Sequence, residues 1–174
     1  MSPSQRKRER RLEAARGYLF LDMPDHALGE LRAIDDPEEC VYEASCLRGE
    51  ALRQKKEFDA ALAAFEEADR AHPDSLDVLI GMAWCQKRID RLPDAIATME
   101  HAYAVAPEVP IVLYNLSCYH ALAGDKPNAL SFLGRAVRMD GSLRLLIPGE
   151  RDFDLLRHDP HFQLIANPDE YATA

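Results

Sequence analysis

The side chains able to do chemistry are scattered through this sequence. His158-Asp159-Pro160-His161 brings two imidazoles close, as a zinc pair would need. The intervening proline spoils the one-turn spacing that would aim both at a metal, so the tetrapeptide reads as a helix start with Asp capping and Pro in the first turn. Cys40, Cys46, Cys85 and Cys118 form no CxxC pair, and a chain of this size holds a core without disulfides, so reduced thiols are expected. Glu66 and Glu67 are adjacent and point in different directions, which suits solvation rather than paired acid and base work. Asn115-Leu116-Ser117 has the form of a glycosylation sequon but falls on a predicted helix with no secretion signal before it. No phosphate-cradling, zinc-protease or nucleophile-elbow motif occurs. The sequence therefore predicts a protein that is not an enzyme, with no cofactor, metal or small-molecule substrate.

Charge points the same way. Residues 1–16 hold six basic and two acidic side chains, net +4, leaving 15 basic and 28 acidic in the rest, net −13. A body so acidic argues against nucleic acid, whose affinity comes from a positive surface that releases counterions. The apolar runs, such as Tyr18–Leu21 and Leu143–Ile147, fall far short of the roughly 20 residues a membrane-spanning helix needs. The basic start, Arg6-Lys7-Arg8, is followed by Arg10 and Arg11 rather than by an apolar core, so a cytoplasmic protein is expected.

What must position any site is a repeat. Ala27, Ala61, Ala95 and Ala129 lie 34 residues apart, and so do Leu31, Phe65, Met99 and Leu133. A third column holds Ile34, Ala68, Ala102 and Ala136, and Pro73 and Pro107 close the second and third units. Alternation of small and large residues at fixed spacing is a code for close-packed helices, because alanine lets two axes approach while the larger column fills the groove beside it. Each unit reads as two helices, for example 75–89 and 93–106, joined at Asp90-Arg91.

These columns resemble the tetratricopeptide repeat family, with its small eighth residue, alanines at the twentieth and twenty-seventh positions and proline near the end. The fourth unit follows the pattern best, from Leu113-Tyr114-Asn115-Leu116-Ser117 through Gly124-Asp125 to Ala129, Leu133, Ala136 and Asp140. In the second, Ser45 and Arg48 stand where larger apolar residues are usual, and in the first Arg11, Ile34 and Glu39 depart from it. The resemblance implies an all-α, right-handed solenoid of four helix-turn-helix units at 8–41, 42–75, 76–109 and 110–143. A basic tail of residues 1–7 precedes them and a capping segment, 144–174, follows. That segment, rich in Leu and Phe and including Leu155 to Phe162, is similar to the terminal segment of a bacterial group of these proteins. A solenoid must cover its last apolar face.

The resemblance also implies a protein or peptide partner in a concave groove lined by the first helix of each unit. The inward positions carried onto this chain give Arg16, Cys46, Glu50, Ile80, Ile111, Tyr114 and Cys118, with Asn115 able to bond an extended backbone and Arg53, Lys87 and Arg88 as a basic edge. Trp84, the sole tryptophan, falls on an inward position and is the natural anchor. The clamp by which some members hold acidic chaperone tails is not expected, since its positions carry Leu12, Arg16, Leu47, Asp77 and Gly81. The expected function is a scaffold or adaptor. The alternatives are a chaperone resembling those of type III secretion, or self-assembly into homo-oligomers through the basic arm.

Overall fold

The computed structural model describes residues 2–35 and 37–167. The second helix of every predicted repeat starts 34 residues after the previous one. They are α2 (Pro24–Arg32), α4 (Phe58–Ala71), α6 (Leu92–Val105) and α8 (Lys126–Met139), and before them come α1 (Pro3–Phe20), α3 (Val41–Gln54), α5 (Leu76–Arg88) and α7 (Pro110–Leu122). Three 3₁₀ segments, Pro37–Cys40, Gly141–Gly149 and Arg151–Leu156, and a final α9 (Pro160–Ala166) complete an all-α chain, with no strand among the described residues. Residues 3–7, expected as a tail, form the opening turns of α1, where Ser2 and Gln5 make a reciprocal capping box. No helix among the described residues is long and apolar enough to cross a membrane.

The connection inside each repeat is the same device four times. The residue after the helix C-cap, Asp22, Lys56, Asp90 or Gly124, takes φ between 55° and 76°. Its N–H donates to the carbonyl three residues back, and the next N–H donates to the carbonyl five back: Met23 to Tyr18, Glu57 to Leu52, Arg91 to Gln86 and Asp125 to His120, each at 2.9 Å. This paired bonding satisfies carbonyls that the helix end would otherwise leave open, and it turns the chain in three residues.

Two compact units result, residues 1–94 and 95–174. In the first, Ala15, Leu19, Ala27, Leu28 and Ala51 form one cluster, and Ala61, Leu62, Phe65, Ala68, Val78 and Cys85 form another. The predicted alanine columns, 27, 61, 95 and 129 and also 68, 102 and 136, are completely buried. Phe65 shows the size code at its tightest. A methyl group on Gly49 of α3 would lie 2.8 Å from its ring, and one on Gly81 of α5 would lie 2.9 Å from the same ring. The two departures in the second repeat are reconciled here, because the Ser45 hydroxyl donates to Glu67 at 3.0 Å and Arg48 pairs with the same carboxylate. Arg11 likewise meets Glu30 at 2.5 Å.

In the second unit, α7 is buried almost all round, as expected of a helix apolar on every face. It packs against α8 on one side and the 3₁₀ segment Arg151–Leu156 on another. Phe153 is fully buried there, 5.8 Å from Tyr114 edge to face and 5.3 Å from Phe162. Asp159 caps α9 by accepting from the N–H groups of His161 and Phe162 at 2.9 and 3.2 Å, and it pairs with Lys126 of α8. The His158/His161 motif is thus a helix start, with His161 on the surface.

Candidate protein-binding cleft

A cleft of about 420 Å³ opens between α3 and α5 in the first unit. Helix periodicity builds its walls: Cys46, Leu47, Glu50 and Arg53 share one face of α3, and Asp77, Ile80, Gly81 and Trp84 share one face of α5. Phe65 and Val78 line its depth. Because Gly49 and Gly81 admit the Phe65 ring, that aromatic reaches the cleft from α4, behind both walls.

Trp84 stands at one end, half-buried. Phe58 of α4 meets it edge to face at 5.3 Å and 78°. The Arg53 guanidinium lies 5.0 Å from its ring centre and that of Arg88 5.5 Å, with Arg88 also 5.2 Å from Phe58. Arg53 is itself fixed by two bonds to Glu50, at 2.9 and 2.6 Å, and that hydrogen bonding raises its pKa further. The indole is therefore held in place before any partner arrives. Burial pushes the Cys85 thiol up to about 11, against the pull of Arg53, and raises that of Cys46 as well, so both are protonated at neutral pH and poor nucleophiles.

Of the residues singled out from sequence, Cys46, Glu50, Arg53, Ile80 and Trp84 come together in this cleft, with Arg88 at its edge. Lys87 is half-buried on α5 and does not line it. Arg16 sits on α1, paired with Glu13 at 2.9 Å and with Glu43. Ile111, Tyr114, Asn115 and Cys118 belong to the second unit. There the expectation of an open apolar floor is corrected: Tyr114 and Cys118 are only 3% and 2% exposed, because Phe153 and its 3₁₀ segment occupy that face of α7. Ile111 and Asn115 are partly buried. The basic arm is likewise engaged within its own unit, Lys7 with Asp35 at 2.5 Å, Arg8 with Glu39 and Arg11 with Glu30.

Phe58 and Phe65 were not picked out as site residues. The signal for Phe65 was present, as the largest member of its column opposite two glycines. Phe58 opens α4 and carries no period of its own.

A family model for the tetratricopeptide repeat matches residues 52–116. No curated protein matches the chain in sequence. Among solved structures, "MamA RS-1 ArsTM double mutant" is similar at a TM-score of 0.76 and 16% identity, over 95% of this chain and 96% of that one. "MamA MSR-1 C2" follows at 0.71 and 15%, over 98% of each, and "Crystal structure of MamA" at 0.70 and 17%, over 78% of this chain and 79% of that one. At such identities the likeness is one of fold.

Proposed function

We propose that this chain, whose residues 52–116 match the tetratricopeptide repeat model, is a non-catalytic scaffold binding a segment of another protein in the α3/α5 cleft, anchored on Trp84. The observation that carries this reading is the preset indole. An aromatic held between a T-shaped neighbour and two guanidinium groups, beside an apolar hollow, loses little freedom when a partner covers it. The hollow falls within the size range of small-ligand pockets, roughly 300–1,000 Å³, and takes one or two side chains of a docking segment. An apolar side chain suits Ile80, Cys46 and Phe65, and Arg88, in no ion pair among the described residues, suits a carboxylate beside it.

The test compares wild type with Trp84→Ala, both shown to fold by circular dichroism, first in capture from cell extract and then in calorimetry with the captured partner. Binding should saturate at a fixed ratio without turnover, and Trp84→Ala should weaken it by about 2 kcal/mol or more. A partner held equally well by both proteins overturns the cleft as the site. Suppression of client aggregation without a saturable complex would favour a chaperone instead. A fall in solution mass on deleting residues 1–10 would favour self-assembly.

A further inference from the structure

We propose that Cys118, Glu150 and Asp152 form a binding site for a zinc-type divalent cation, clipping the capping segment to α7. The Cys118 sulfur and one carboxylate oxygen from each acid lie within 4.8 Å of one another. Ligands of a tetrahedral zinc, with Zn–S near 2.3 Å and Zn–O near 2.1 Å, stand roughly 3.6 Å apart, so small side-chain rotations close the three donors on an ion. A second, independent observation points into the same place. Tyr114 lies one turn before Cys118 on the same face of α7. Its side chain is 3% exposed, its hydroxyl has no hydrogen-bond partner, and it is near enough to Cys118, Glu150 and Asp152 to feel their charge. A buried hydroxyl left open beside three acidic donors fits a fourth oxygen ligand, or a water held by the ion.

The donor set chooses the metal. A thiolate is too soft for magnesium or calcium, and two carboxylates are too hard for copper(I), whereas zinc accepts both. Arg157 braces the same segment, donating to the Glu150 carbonyl at 2.8 Å, to the Pro148 carbonyl at 3.3 Å and to Asp154 at 2.9 Å. Glu150 also accepts from the Asp152 N–H at 3.2 Å, which fixes the two acids relative to each other. Motif spacing could not reveal this site, because its first ligand is 32 residues from the second.

The experiment titrates cobalt(II) into the full chain, reduced and stripped with a chelator. One equivalent should give the thiolate-to-cobalt charge-transfer band with tetrahedral visible bands, both displaced by zinc. Cys118→Ser should abolish the charge-transfer band, Cys46→Ser should leave it intact, and Asp152→Asn, at a half-buried position, should weaken the affinity by at least about tenfold. Zinc should also slow tryptic cleavage at Arg151 and Arg157 in wild type but not in Asp152→Asn. No charge-transfer band, a band that survives Cys118→Ser, one lost with Cys46→Ser, or an affinity unmoved by Asp152→Asn overturns the site.

Discussion

Gly49→Ala tests the fold's size code, because one substitution sets two known effects against each other. Alanine is favoured over glycine inside a helix by about 1 kcal/mol. Gly49 lies inside α3, so propensity alone predicts a gain. The new methyl group would meet three atoms of the Phe65 ring at 2.8 to 2.9 Å, and the ring cannot retreat, since Gly81 confines its other side at 2.9 to 3.1 Å. Overpacking of this kind costs about 1–3 kcal/mol, so the net effect is a loss of up to about 2 kcal/mol. Removing the obstacle should reverse the sign. In a Phe65→Leu background, the residue found at the same repeat position in Leu31 and Leu133, Gly49→Ala should stabilise by up to about 1 kcal/mol. Gly17→Ala serves as the control, because nothing lies within 4 Å of a methyl group there and the same replacement should stabilise. Urea and thermal unfolding followed by circular dichroism would resolve these differences, at about 2–4 °C per kcal/mol for a chain of this length. Equal effects of Gly17→Ala and Gly49→Ala, or an unchanged sign in the Phe65→Leu background, would refute the account of Phe65 as a knob between two glycines.

The turns make a second pair of opposite predictions. Gly124 has φ of 76° and open space around it, so Gly124→Ala should cost about 1 kcal/mol through backbone strain alone, while Lys56→Gly, at the same turn with φ of 63°, should gain a comparable amount in unfolding midpoint. In the cap, Phe153→Ala removes a fully buried ring from between Tyr114 and Phe162 and should cost about 3–5 kcal/mol locally. It should appear as faster hydrogen exchange along α7 and α9, with α1 to α4 unchanged as the check.

The repeat was legible because it is written in residue volume. Ala61 and Phe65 recur as a small and a large residue every 34 positions, and their burial follows from that pattern alone. The turns were legible only in part. Gly124 announces a left-handed residue, but Asp22, Lys56 and Asp90 adopt the same conformation through hydrogen bonds from the chain that follows, which composition does not display. Trp84 and its α3 neighbours could be gathered from the family's inward positions, which describe a face but not what covers it. For Tyr114 that omission was decisive, since its cover, Phe153, comes from a segment outside the repeat pattern.

Comparison of α5 with α7 turns that omission into an argument about the partner. Ile80 and Trp84 occupy the repeat positions that Tyr114 and Cys118 occupy one unit later. In α7 these positions are closed by the chain's own Arg151–Leu156, a short helical segment that inserts one phenylalanine between Asp152 and Asp154. The α7 face thereby demonstrates what kind of segment such positions accept: one turn of chain with a single large apolar side chain, rather than a long helix. The α5 cleft carries Arg53 and Arg88 around its aromatic; one unit later the same repeat positions hold Lys87 and Leu122, so the cation at the Arg88 position is particular to α5. An acidic residue flanking the inserted side chain would meet the Arg88 guanidinium directly, Arg53 being already bonded to Glu50, with the gain of a charge-assisted contact at a partly desolvated rim. The segment mapped from a captured partner should therefore be short, centred on one aromatic or leucine, and acidic at its flanks. A basic segment, or one bound equally well by Arg88→Ala, would break the correspondence between the two helices.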